Sequence, residues 1–135
     1  RLTGRLDEAG DIIALPGQPR VRLWGVQAPE ARDKQTGQET RAGMQSRAAL
    51  EDLLAADRRN VHCRPTKWDR YCRLVALCTV GGVDLAAALL DNGFAYGGWL
   101  DDVSPGPADL GIAYADREAK ARHDRRGLWK DWLGD

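Results

Sequence analysis

The sequence predicts an α+β chain, mainly β, in which five short strands are combined with three helices. Two patterns predict this class: short Val-, Leu- and Ile-rich runs between turn residues, and longer stretches in which Leu recurs at helical spacing. The chain has 135 residues, of which 43% are hydrophobic. That length suits one hydrophobic core and is too short for two ordinary domains, so we expect one domain over residues 1–135.

The strands are expected where apolar runs alternate or are rich in Val between turn residues. The turn Pro16–Pro19 separates the second run from the third. The predicted strands are Leu2–Leu6, Asp11–Leu15, Val21–Val26, Val61–Arg64 and Leu74–Val80.

The first helix is expected over about Gln38–Ala56. Thr36 and Glu39 form a capping-box pattern before it, and Leu50 and Leu54 lie one helical turn apart within it. The Thr36 hydroxyl is therefore predicted to cap this helix.

Two further helices are expected in the second half of the chain. One covers Asp84–Asp91 and ends at Asn92-Gly93, and the other runs from near Pro107 to Gly127. The tail after Gly127 is expected to dock on the core. Five strands with a helix after the third are typical of the OB-fold, a small Greek-key barrel, so a five-stranded OB-fold barrel with three α-helices is predicted.

The charge balance limits how the chain could bind nucleic acid. The 20 Lys and Arg residues are matched by 20 Asp and Glu residues, so phosphate binding would have to come from a local basic patch. No run approaches the roughly 20 apolar residues that span a bilayer, and no membrane span is expected.

Five motifs resemble, in order, those of the staphylococcal nuclease (thermonuclease) family. The first is Ala9-Gly10-Asp11, and the second is the run Val21–Glu30, which resembles an Arg-bearing strand leading into Asp-(Ala/Thr)-Pro-Glu. The third, Asp69–Arg73, resembles Asp-x-Tyr-Gly-Arg. The other two are Asn92–Ala95 and Arg125–Trp129. Together the motifs cover nearly the whole chain.

The resemblance implies a phosphodiesterase site. It implies that Arg22 and Arg73 grip the phosphate and that Glu30 is the general base or positions the attacking water. Such roles suit the chemistry, because two guanidinium groups can donate paired hydrogen bonds to phosphate oxygens and a carboxylate can take a proton from water. By the same resemblance, Asp11, the position of Gln27 and the carbonyl of Ala28 hold Ca²⁺.

Further residues are implied in nucleotide binding. The resemblance places Arg70 and Tyr71 at the phosphate end of the nucleotide and Trp99 near a base. Aromatic rings and a basic groove are the usual means by which OB-folds bind single strands. Single-stranded DNA or RNA is therefore the expected partner. The chain is expected to be a monomer.

The sequence departs from the family pattern at two positions. Gln27 replaces a metal-binding Asp and brings no charge, so weaker calcium binding is expected. Cys72 replaces Gly. If the backbone there requires positive φ, Cys72 would be strained and Arg73 could be displaced.

Plainer interpretations stay open for several residues. Arg22 and Arg73 could be surface arginines beside acidic neighbours, and Glu30 could begin a helix. Asp11 could merely end a turn. Aromatic residues such as Trp24 and Trp99 often serve packing alone. Asp69 is interpreted as a turn residue that orients Arg73.

The cysteines suggest a cross-link. Counting outward from a hairpin turn near Asp69 places Cys63 and Cys78 nearly opposite on neighbouring strands, so a disulfide is predicted, with Cys72 free. Such a bond would imply a periplasmic or extracellular location. The alternative is three buried thiols.

Two functions follow from the sequence. The first is a Ca²⁺-assisted nuclease, weakened by Gln27. The second is a catalytically impaired domain that binds nucleic acid or another partner without cleaving it.

Overall fold

The computed structural model describes residues 2–3, 5–6, 12–13, 20–30, 32–97 and 108–134. Nine strands are described in these ranges: β1 (Leu2–Thr3), β2 (Arg5–Leu6), β3 (Ile12–Ile13), β4 (Arg20–Leu23), β5 (Val26–Gln27), β6 (Asn60–Trp68), β7 (Leu74–Val80), β8 (Val83–Asp84) and β9 (Tyr96–Gly97). The described helices are α1 (Arg41–Ala55), α2 (Leu85–Asp91), α3 (Ala108–His123) and α4 (Trp129–Leu133), and a short 3-10 segment (Ala56–Arg59) follows α1.

The strands form one large sheet and one small sheet. In the large sheet the order is β1-β6-β7-β4-β3-β2, and β8 pairs with β7. β4 and β7 are parallel, whereas the other described pairs of this sheet are antiparallel. β5 and β9 form the small sheet. The α+β class is thereby confirmed, but five strands and three helices are the wrong counts, since nine strands and four helices are described.

The predicted strand Val21–Val26 is interrupted by a turn at Trp24-Gly25. Gly25 has φ +81°, and a Cβ added to it would lie 3.0 Å from the ring of Tyr114. A helix distant in sequence thus occupies the space beside this turn, and the chain passes from β4 into β5 instead of continuing as one strand.

The first helix begins three residues later than predicted, because Thr40 caps it and Thr36 does not. The Thr40 hydroxyl oxygen accepts a hydrogen bond from the Gly43 N–H at 3.0 Å. Thr36 lies in a preceding turn, where the Asp33 carboxylate accepts hydrogen bonds from the N–H groups of Gln35 and Thr36. The capping-box prediction was therefore wrong about which residue caps the helix.

The second helix agrees with its prediction. Asp84 caps α2, since its carboxylate accepts from the Ala87 N–H at 3.1 Å, and the helix ends at Asn92-Gly93. α3 ends at His123, and the short α4 follows it. The tail docks through Leu128, which is 2% exposed, whereas Trp132 remains 42% exposed.

The core lies between the large sheet and the helices. Buried positions alternate along β4 and along β7 from Ala76 to Val80, and Val75 is buried as well. Its most deeply buried members include Val21, Leu54, Val61, Val75, Val80, Leu85, Leu90 and Tyr114. No helix of the described ranges is long and apolar enough to cross a membrane.

The disulfide prediction is confirmed. Cys63 and Cys78 are direct partners in the β6–β7 register, with Cα atoms 4.1 Å apart, and their sulfur atoms are bonded. Cys72 is a free, exposed thiol. The alternative of three free thiols is wrong.

Candidate phosphate-binding site

The turn that joins β6 to β7 is built around one carboxylate. Asp69 Oδ1 accepts hydrogen bonds from the N–H groups of Tyr71 and Arg73, both at 2.9 Å. Its other oxygen accepts from Arg73 Nε at 2.7 Å. A single side chain thus shapes the turn and holds the arginine that follows it, which confirms the interpretation of Asp69 as the residue that orients Arg73.

Asp69 is held in its charged form. Burial of the side chain would raise its pKa, but hydrogen bonds from Arg73 and from the Tyr71 N–H, together with the Arg73 charge, lower the pKa below its usual value. The two side chains are largely covered, with 24% of Arg73 and 16% of Asp69 exposed. The pair is therefore ionised and well defined at neutral pH.

The φ angle of Cys72 is +60°. The condition for strain at this position, a positive φ, is therefore met. A non-glycine residue in this region carries local strain. The Arg73 carbonyl accepts a hydrogen bond from the Asp69 N–H at 2.9 Å, and Arg73 Nε donates to the Asp69 carboxylate at 2.7 Å. Asp69 thus binds the backbone N–H groups on both sides of the strained Cys72. The displacement of Arg73 stays a prediction.

Tyr71 brings an aromatic ring to the same turn. The guanidinium carbons of Arg70 and Arg73 lie 5.0 and 5.4 Å from the centre of its ring. Such cation–π contacts contribute about 0.5–1 kcal/mol each at exposed sites. The ring is still 56% exposed, so the turn presents a flat aromatic surface beside two guanidinium groups.

The strand pairing brings Arg22 to the same face as Arg73. Arg22 in β4 is the direct partner of Val75 in β7, and Arg73 precedes Val75 by two residues. Paired residues and residues two apart share a face of a sheet. With strands about 4.8 Å apart and a rise of about 3.3 Å per residue, the two Cα atoms are about 8 Å apart. Arg20 further joins β4 to the turn by donating to the Tyr71 carbonyl at 2.8 Å.

Arg22 also contacts the segment that carries the remaining predicted residues. Its Nη2 donates to the carbonyl of Val26 in β5 at 3.4 Å. Gln27 follows Val26 and pairs with Tyr96 of β9, and Ala28 is exposed beyond the end of β5. Arg22 is therefore placed between the Asp69–Arg73 turn and the Gln27 segment.

Glu30 has an exposed side chain and an anchored backbone. Its carbonyl accepts a hydrogen bond from the Thr40 hydroxyl at 2.5 Å, and Thr40 in turn caps α1. The alternative that Glu30 begins a helix is wrong, because α1 begins only at Arg41. Its carboxylate extends from a segment fixed at the helix end.

Two of the other motifs serve the fold. A Cβ on Gly93 would overlap the carbonyl oxygen of Arg126, and a Cβ on Gly127 would overlap the carbonyl oxygen of Asn92. The Leu128 N–H donates to the Gly93 carbonyl at 3.0 Å across the same contact. These glycines let two backbone segments meet, so the motifs at Asn92–Ala95 and Arg125–Trp129 form a structural junction.

A comparison with models of protein families shows to which family the chain belongs. A family model described as staphylococcal nuclease homologue matches residues 20–131. This chain belongs to the staphylococcal nuclease homologue family. The matched range includes the Arg22–Glu30 segment, the Asp69–Arg73 turn and the Gly93–Gly127 junction. A search of curated proteins found no match.

The described residues among the predicted calcium ligands of this nuclease homologue, Gln27 and Ala28, have uncharged side chains. Ca²⁺ takes six to eight oxygen ligands and favours carboxylates. Among the described residues, Gln27 and Ala28 offer uncharged oxygens and Glu30 a carboxylate, and no group of three or more His, Cys, Asp or Glu side chains there could hold a metal ion. Asp11, the other predicted ligand, lies outside the described residues.

Two predicted aromatic residues remain, Trp24 and Trp99. Trp24 is 4% exposed and packs against Tyr114, with ring centres 5.8 Å apart, so its packing interpretation is confirmed. Trp99 lies outside the described residues.

Sequence reasoning missed Arg20, which fastens the turn to β4, and Thr40, which fastens Glu30. Arg20 directly precedes the predicted strand, and only the register of β4 with β7 reveals its position beside the turn.

Proposed function

We propose that this nuclease homologue hydrolyses phosphodiester bonds of DNA or RNA, with single strands as the preferred form. The observation that carries the proposal is the Asp69–Arg73 ion pair. It lies in the turn before β7, on the same face of the sheet as Arg22. Arg22 on β4 and Arg73, held in the turn before the neighbouring β7, suit one tetrahedral anion better than they suit a solvated surface.

The arginines would act on the charge that develops at phosphorus. Attack by water builds negative charge on the phosphoryl oxygens, and guanidinium groups stabilise it through paired, charge-assisted hydrogen bonds. Asp69 contacts Arg73 through Nε, which orients the guanidinium plane before substrate arrives. An arginine that is already oriented stabilises the transition state at a smaller entropic cost.

Glu30 would take the proton from the attacking water. A carboxylate suits this role when it can reach the water and its backbone is fixed. The exposed side chain of Glu30 meets solvent, and the Thr40 hydrogen bond fixes its carbonyl. Arg70 and Tyr71 would contact the nucleotide beside the reacting phosphate, and the exposed Tyr71 ring offers a stacking surface.

Calcium is proposed as a weakly bound cofactor. Asp11, Gln27 and Ala28 would hold it, with Glu30 nearby as a further carboxylate. When bound, a divalent ion would offset negative charge on the phosphate. The uncharged amide of Gln27 reduces the attraction for the ion.

The same donor set favours a second candidate function. With Gln27 in place of Asp, the chain would keep its phosphate-binding arginines and lose cleavage. It would then bind nucleic acid, or another partner, without hydrolysing it.

A calcium titration of cleavage separates these two functions. End-labelled single-stranded DNA and RNA would be incubated with the parent chain, Gln27→Asp and the control Gln27→Ala. We expect the parent to cleave at high calcium, and Gln27→Asp to require about tenfold less calcium because it restores a charged ligand. Cleavage by none of the three at any calcium concentration, with binding retained, would leave the binding function alone.

The fold proposed for the whole chain is a closed OB-type barrel in one domain. β1 and β2 stand at the two ends of the strand order and are separated by one residue, so one continuous segment joins both edges of the sheet. The intact Cys63–Cys78 disulfide supports the further proposal of a periplasmic or extracellular location. A monomer is proposed as the functional unit.

A further inference from the structure

The face that carries Arg22 and Arg73 continues along β6. Lys67 is the direct partner of Val75, which is itself the partner of Arg22, so these three residues form one row across three strands. Asp69 and Arg73 form the next row, joined by a hydrogen bond from the Asp69 N–H to the Arg73 carbonyl at 2.9 Å. Lys67 therefore shares the face of the two phosphate-binding arginines.

Two more rows extend this face away from the turn. Arg64 pairs with Leu77 and His62 pairs with Thr79, and both β7 partners lie an even number of residues from Val75. Both Arg64 and His62 are exposed. The residue without a partner lies between Pro65 and Lys67, and this β-bulge keeps Lys67 on the same face as Arg64.

An open groove lies beside these outer rows. Its volume is about 490 Å³, and the residues that line it include His62, Arg64, Leu77, Thr79 and Leu110. One carboxylate, Asp84, also lines it. That carboxylate accepts hydrogen bonds from the Tyr114 hydroxyl at 2.6 Å and from the Ala87 N–H, so its charge is partly satisfied inside the fold.

We propose that His62, Arg64 and Lys67 form a track that binds the phosphates of a single-stranded polynucleotide beyond the phosphate held by Arg22 and Arg73. The proposal rests on the proposed function of that site. The track continues the same face along β6, across the bulge, and its side chains are hydrogen-bond donors that suit phosphate. His62 and Arg64 are exposed, and Lys67 is half-buried. The groove beside it adds the apolar surface of Leu77 and Leu110, against which a base can lie.

The chemistry favours nucleic acid over an acidic protein segment. A single strand combines charged phosphates with flat apolar bases, and the face offers the cationic side chains of Arg64 and Lys67 beside an apolar groove. Each phosphate contact on a single strand releases counterions and contributes about 0.7 to the slope of log affinity against log salt concentration. The track therefore predicts a dependence on both substrate length and salt.

The test compares a dinucleotide with a long single-stranded oligonucleotide, measured by fluorescence polarisation over a salt series under conditions that prevent cleavage. The variants are Arg64→Gln/Lys67→Gln and a matched control, Lys120→Gln/Lys130→Gln. Lys120 lies about 15 Å of helix beyond Leu110, and both control lysines are exposed. Thermal unfolding of each variant checks that the fold is intact.

We expect the track variant to bind the long oligonucleotide at least about fivefold more weakly at low salt, with a slope reduced by about 1.4, and to bind the dinucleotide as the parent does. The control should match the parent for both ligands. If the track variant binds the long oligonucleotide with the affinity and salt slope of the parent, the inference is overturned and the proposed function is not. Failure of the parent to bind either ligand would overturn the proposed function and this inference with it.

Discussion

The turn at Asp69–Arg73 and the junction of Gly93 with Gly127 both contain residues with positive φ, but different contacts hold them. In the turn, one carboxylate gathers two N–H groups and a guanidinium, and Cys72 projects an exposed side chain. In the junction, two backbone segments meet so closely that neither glycine has room for a Cβ.

The two sites differ in the reason why glycine is favoured. At the junction, glycine is required by conformation and by contact at once. At Cys72 only the conformation favours glycine, since the side chain lies in solvent, so another residue is tolerated at the cost of some strain. The turn holds Arg73 through Asp69, whereas the contacts of the junction serve the fold.

The largest expected effect is on the junction. Gly93→Ala should lower the free energy of unfolding by at least about 3 kcal/mol, since it adds an overlap with the Arg126 carbonyl to the cost of positive φ. Gly82→Ala is the matched control, because Gly82 has φ +79° and nothing near its Cβ position. It should cost about 1 kcal/mol. Equal losses in urea unfolding would show that the close contact does not matter.

A smaller effect is expected in the turn. Asp69→Asn should lower the free energy of unfolding by about 1–2 kcal/mol at neutral pH, because a charged acceptor of three hydrogen bonds is replaced. The pKa of Asp69 is lowered in the folded state, so its contribution is complete above the unfolded value of about 3.9 and is lost as the pH falls through the folded pKa.

The stability difference between parent and Asp69→Asn should therefore shrink below about pH 4. Urea unfolding across this range measures it. A difference that stays constant down to pH 2 would mean that the charge of Asp69 does not stabilise the turn.

The smallest effect concerns the strained residue. Cys72→Gly should raise the free energy of unfolding by about 0.5 kcal/mol, since relief of positive-φ strain exceeds the added chain entropy of glycine. Cys72→Ala, which also removes the thiol, should leave stability unchanged. If both substitutions stabilised the chain equally, the thiol and not the backbone conformation would be responsible.

Much of this comparison could be predicted from the sequence where local signals decide. The strand Leu74–Val80, the end of α2 at Asn92-Gly93 and the disulfide each follow from patterns read within a few residues or counted from one turn. The role of Asp69 was predictable for the same reason, because its partners lie two and four residues away.

The features that could not be predicted from the sequence depend on long-range contacts. The break at Gly25 depends on the ring of Tyr114, and the true start of α1 depends on Thr40 contacting Glu30. The face shared by Lys67 and Arg73 depends on the β6–β7 register and its bulge. None of these leaves a periodic signal in the residues concerned.

Cleavage of an end-labelled single-stranded oligonucleotide by the parent and Arg73→Ala, at saturating calcium, tests the proposed function most directly. Cys72→Ala in the same turn is the control. We predict that Arg73→Ala lowers kcat/KM by at least about a hundredfold, as expected when an oriented charge that stabilises the transition state is removed, and that the control stays close to the parent. Parent-like cleavage by Arg73→Ala would contradict a phosphate-binding role for this arginine.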